Sequence, residues 1–125
     1  MPVKAHVDEF VNLGGVTMAV NLQAISVDHL DVTPDTELET LAKSDTVGVM
    51  LPTVNFNLGS THFGNARKLI DSSGVLALAT DLNPGSAPTP SLPMVMALRI
   101  WLRHRTLSRG GAGVTCWIPT PRRQG

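Results

Sequence analysis

The chain has 125 residues, 42% of them apolar, with ten basic and ten acidic side chains and hence a formal net charge of zero. That is the length and apolar content of one small globular domain, and it excludes a disordered or membrane-spanning segment by composition. Neutrality and a pI near 6.9 remove the electrostatic case for nucleic acid or an anionic membrane as partner and leave small molecules as the expected ligands.

The first ten residues, MPVKAHVDEF, place no long apolar run after a basic cluster, so neither a signal peptide nor a transit sequence is expected. Cys116 is the single cysteine, which excludes an intrachain disulfide and a cysteine-based zinc knuckle and makes a reducing, cytoplasmic compartment the expectation.

Val3 to Asp8 alternate, with Val3, Ala5 and Val7 on one face and Lys4, His6 and Asp8 on the other, the period-2 pattern of a strand. A helix is expected from about Gly15 to Gln23, then a second strand from Ala24 to His29. Thr33-Pro34 supplies a cap and a first-turn proline for a helix that carries Leu38, Leu41 and Ala42. Val47 to Leu51 is apolar on both faces, as strands of parallel sheets are, and stops at Pro52. A polar loop with Asn55, Asn57 and Gly59 follows, then a helix from Asn65 to Ser73 and a fourth strand from Val75 to Ala79. The strand opens into the Gly/Pro-punctuated loop DLNPGSAPTPSLP.

Four strands alternating with helices predict parallel βαβ units, either about half of a (β/α)8 barrel, whose typical length is about 250 residues, or a small doubly wound sheet. Only the doubly wound sheet closes its hydrogen bonding within a chain of this length. Residues 98–125 differ in composition: after Asp81 no acidic residue occurs, while six arginines, both tryptophans and the cysteine crowd together. One reading is a basic tail that contacts RNA or acidic lipid, although no stacking aromatics are interleaved as such tails require. The other is a shifted reading frame near Ala97, which leaves an irregular tail without periodicity.

Three strand-like runs end in chemistry-bearing residues: His6 with Glu9, His29 after Asp28, and Asp81. Ends of successive strands are where β/α chains turn toward ligand. A neutral imidazole there can bind zinc or iron, and a nearby carboxylate can act as acid or base. The plainer alternatives are a half-buried strand histidine for His6 and a turn-bonded histidine for His29. Asp81, directly after an apolar strand and before a Gly/Pro loop, is poorly placed for packing and well placed for a metal or catalytic role. Asn83 and Gly85 extend that loop with donors for a substrate carboxylate, or serve turn geometry alone. His62 and His104 read as surface residues. Gly14-Gly15 lacks both GxGxxG and a Walker lysine, so no dinucleotide site is expected.

Taken together, HVDEFVNLGG, AISVDHL, TVGVMLPTVNF and LALATDLNPGSAPTPSLPMVMA resemble, in order and spacing, the C-terminal half of imidazolonepropionase, of the amidohydrolase superfamily of metal-dependent (β/α)8 barrels. The resemblance covers Val3 to about Ala97. It implies residues 1–97 as about the last four βα units of such a barrel. It implies metal ligation by His6 and Asp81 of one zinc or iron ion, and substrate or proton-handling roles for Glu9 and His29. Asn83, Gly85 and Ser86, the last often threonine in the family, fall where the substrate carboxylate is held.

The implied reaction is hydrolysis of the ring amide of 4-imidazolone-5-propanoate to N-formimidoyl-L-glutamate in histidine breakdown, by a family expected to form homodimers. The family's H-x-H pair, arginine and tyrosine are expected to lie ahead of Met1. The 125 residues alone are therefore expected to be inactive, and to associate through unpaired edges. Two alternatives stand beside this reading: another cyclic amidase or deaminase of the superfamily, and a non-catalytic interaction fragment.

Overall fold

The computed structural model describes residues 1–85 and the backbone of Thr115–Trp117. In chain order the elements are β1 (Lys4–Val7), α1 (Gly15–Asn21), β2 (Ser26–His29), α2 (Asp35–Ala42), β3 (Val47–Met50), α3 (Pro52–Asn57), α4 (Ala66–Asp71), β4 (Leu76–Leu78) and β5 (Thr115–Trp117). The strands form one sheet in sequential order. β1 to β4 are parallel, and β5 runs antiparallel to β4. The chain is thus a small α/β protein with a four-stranded parallel sheet, an arrangement consistent with part of a β/α barrel. β5 lies within residues 98–125, the stretch expected to be irregular; the rest of that stretch lies outside the described residues.

One face of the sheet makes the core. Val7, Val27, Met50, Leu76 and Leu78 pack with Val16 and Ala19 of α1, Leu38 and Leu41 of α2, and Ala66 and Leu69 of α4. Leu38, Leu41 and Leu69 are completely shielded, and each contributes about 1.5–3 kcal/mol by leaving water. Helix and strand approach closely at Gly48, where an added Cβ would lie 2.8 Å from Leu69 and 3.0 Å from Leu30. By register the opposite face carries Lys4 and His6, Ser26 and Asp28, Val47 and Val49, and Ala77.

The expected elements appear, shortened by one or two residues at several ends. The polar loop after β3 is corrected: Pro52–Asn57 is helical, with Thr53, Val54 and Asn55 buried. Pro52 stands in the first turn, where its fixed φ favours a helix start. Val54 packs with Leu51, Val49 and Ala79, which draws α3 over the C-terminal ends of β3 and β4. Among the described residues no helix is long and apolar enough to cross a membrane.

Candidate functional site

Left-handed backbone marks three strand ends. Asp8 follows β1 with φ 55°, His29 and Leu30 close β2 with φ 82° and 65°, and Asp81 follows β4 with φ 49°. Non-glycine residues rarely adopt this region, and such strain concentrates where a fold positions functional groups. At β2 the consequence is direct. Register pairs His6 with Asp28 and places His29 opposite Val7, a core residue. Strict alternation would therefore separate the two histidines. They meet instead, with His6 Nδ1 3.0 Å from His29 Nε2, a hydrogen bond whose donor is whichever ring nitrogen carries the proton.

Carboxylates surround the pair. Glu9 Oε2 lies 3.7 Å from His29 Nε2, Asp31 Oδ2 lies 4.0 Å from His29 Nδ1, and Asp28 Oδ2 lies 3.9 Å from His6 Nε2. The His29 side chain is 3% exposed and that of His6 67%. The pair therefore runs from the interior to the surface, a geometry suited to passing a proton outward. Burial pushes the Asp31 carboxyl above its ordinary range. The Asn55 side chain, the charge of His29 and the Gly64 N–H act in the opposite direction.

Sequence reasoning placed His6, Glu9 and His29 at strand ends, and the structure brings these three together. Asp81 lies two strands further along the sheet from β2 and is half-buried, on a turn that Asn83 organises. Asn83 Nδ2 donates to the Asp81 carbonyl at 2.7 Å, and Gly85 N–H donates to Asn83 Oδ1 at 2.9 Å. Ser86 and His104 lie outside the described residues. His62 is exposed. Asp28, Asp31 and Asn55 were missed. The DHLD spacing, a second aspartate two residues after His29, was the available signal for Asp31; Asn55 carried none. Asp8, assigned to the polar face, is instead buried and accepts from Thr33 Oγ1 at 2.8 Å and from Asn12 Nδ2 at 2.9 Å.

A metal ion fits poorly on these residues alone. Among the described residues no group of three or more His, Cys, Asp or Glu side chains is placed to hold one. The two expected ligands, His6 and Asp81, belong to opposite ends of the parallel set. Catalytic zinc sites use three protein ligands.

A parallel β/α sheet with a histidine pair and carboxylates at its C-terminal edge places the chain among β/α proteins that assemble a polar site from strand ends. No family model matches the chain. It is 58% identical over 98 residues to the imidazolonepropionase of Chloroflexus aggregans, 55% over 96 residues to that of Herpetosiphon aurantiacus and 49% over 96 residues to that of Staphylococcus aureus strain JH9. These matches cover 77–78% of this chain and 22–23% of each relative, so the chain spans about a quarter of the length of the curated relatives it matches. Over that stretch the chain is similar to a segment of these imidazolonepropionases.

Proposed function

We propose that these residues form part of an imidazolonepropionase, which hydrolyses the ring amide of 4-imidazolone-5-propanoate to N-formimidoyl-L-glutamate. The observation that carries the reading is the His6–His29 contact with Glu9 beside it, in a stretch of imidazolonepropionase-family sequence. His29, buried and hydrogen-bonded toward the surface, is suited to return a proton to the leaving ring nitrogen, with Glu9 as the carboxylate that takes up or supplies it. Asp81 is assigned to orient the attacking water. Asn83, Gly85 and Ser86 are assigned to the propanoate carboxylate. Zinc or iron belongs to the proposal only for a complete site, where it would lower the pKa of bound water. His6 and Asp81 would supply two of its ligands, and the others would come from outside the described residues. The expected compartment is the cytoplasm, and the expected assembly is a homodimer of the complete enzyme.

The test is a chimaera in which residues 3–97 replace the matched stretch of the Chloroflexus aggregans enzyme. The expected outcome is imidazolone hydrolysis within about tenfold of the parent, and a loss of about 10²–10⁴-fold on His29→Ala, the range for a general acid–base group. A folded chimaera that binds the parent's metal yet turns over no imidazolone would reject the reading. The 125-residue chain alone, given zinc or iron, is expected to show no turnover.

A further inference from the structure

The two edges of the parallel set differ. β1 has no neighbour on its outer side among the described residues, whereas the outer edge of β4 is filled by β5. The Val75 carbonyl accepts from the Gly48 N–H and the Ala79 N–H donates to the Met50 carbonyl, so Val75, Ala77 and Ala79 turn their backbone polar groups toward β3. Alternation leaves the N–H and C=O of Leu76 and Leu78 for the outer neighbour. β5 places Trp117 opposite Leu76 and Thr115 opposite Leu78, running antiparallel. Both are therefore hydrogen-bonded pairs, in which each residue gives one N–H and accepts one in return. Every outward N–H and C=O of Leu76 and Leu78 is thus taken by the chain's own backbone.

The direction of β5 is what matters. A β/α barrel closes through parallel neighbours alone, so a four-stranded parallel piece of one must offer both outer edges to parallel strands. At β4 that place is held by a strand running the other way, and an edge pairs with one neighbour at a time. β5 also comes from beyond Val3 to Ala97, the stretch that carries the resemblance. We propose that β5 is an autoinhibitory strand: the outer edge of β4 is a docking surface for a parallel strand from the rest of a barrel, and Thr115–Trp117 holds it shut. The blocking role rests on the reading of these residues as part of a larger β/α hydrolase, but the occupancy of the edge does not. The block is backbone pairing from a strand outside the core, so it can be undone without changing a core residue. Proline at Thr115 and at Trp117 removes both N–H groups that β5 gives to β4.

The experiment has two readouts. The first is amide hydrogen exchange on the 125-residue chain and on its Thr115→Pro, Trp117→Pro double variant at equal concentration. The Leu76 and Leu78 amides are expected to be protected in the wild type and to exchange about tenfold faster or more in the variant, while Ala79, bonded to β3, is unchanged. Leu76 and Leu78 amides that exchange freely in the wild type beside a protected Ala79 overturn the proposal even if the variant fails to fold. A folded variant that keeps their protection overturns it too. The second readout is capture of each chain by the Chloroflexus aggregans enzyme lacking the matched stretch, on co-expression. Residues 1–97 and the proline variant are expected to be captured. The wild-type chain is expected to be captured less, by about the factor read in exchange, because only its open fraction can dock. Equal capture of all three overturns the block, and capture of none overturns docking at β4. Turnover by the chimaera, which carries residues 3–97 and no β5, judges the hydrolase reading separately.

Discussion

His6, Glu9, His29 and Asp81 were visible in the sequence because each stands at or just beyond the end of a strand-like run. Their mutual geometry was not, because period-2 alternation sends His29 toward the helices with Val7. The φ of 82° that brings its ring back to His6 leaves no trace in side-chain pattern. Buried polar partners were hidden for the same reason. Asp8 reads as a solvated strand residue, yet it ties the loop after β1 to the loop after β2 by accepting from Asn12 and Thr33. Hydrogen bonds to a charged group contribute about 1.5–3 kcal/mol. Thr33→Val, which keeps the shape and deletes the donor, is therefore expected to cost about that much in urea unfolding; a change below a few tenths would show that Asp8 is solvated after all. Asp31 gives a pH signature. Burial raises its folded pKa above the ordinary value of 3.8, so folding favours the protonated form. The folded chain then binds more protons than the unfolded chain between 3.8 and that raised pKa. Stability is lost as pH rises through this window. Wild type is expected to lose stability relative to Asp31→Asn as pH rises above the ordinary carboxyl value of 3.8, seen as diverging urea midpoints; parallel midpoints would mean that the carboxyl is not perturbed.

At the level of elements, β1 to β4 were legible because buried parallel strands are short apolar runs, and α1, α2 and α4 because their apolar residues recur on one face. α3 was not legible. PTVNFN contains too few apolar residues for a periodic signal, and its helix exists because Val54 finds Leu51, Val49 and Ala79 above the strand ends. That small contact matters for the site, since Asn55 rides on α3. The loop leaving α3 returns at Gly64, whose position admits no side chain: an added Cβ would stand 2.7 Å from the Leu30 backbone oxygen. Backbone at a left-handed residue such as Leu30 has little freedom to retreat. Gly64→Ala is expected to destabilise by about 1–3 kcal/mol, the range for overpacking, and to displace the N–H that holds Asp31. Gly48→Ala meets the flexible ends of Leu69, Leu30 and Leu41 instead, so its cost is expected to be the smaller of the two. The order of the two urea midpoints checks the distinction between a rigid and a yielding neighbour.

For the molecule as a whole, the parallel order of the sheet followed from alternating strands and helices, but its edges did not. β5 covers the outer edge of β4, antiparallel, from a stretch of sequence with no strand pattern. β1 has no neighbour on its outer side among the described residues. Beside it the loop before α1 exposes Phe10, Val11 and Leu13 at 75%, 60% and 85%, and Met18 and Leu22 of the α1 region are also largely open to water. An unpaired parallel edge adjoining apolar side chains is a surface that other chains can complete. The isolated 125-residue chain is therefore expected to sediment above its monomer mass of 13.3 kDa at micromolar concentration. Phe10→Glu with Leu13→Glu should shift the distribution toward monomer without altering the sheet, because neither side chain is part of the core. A wild-type chain that stays monomeric would show that the β1 edge is protected by residues outside those described. The chimaera would then be the better guide to how the first strand is completed, since in it the edge meets the remainder of a relative rather than a second copy of itself.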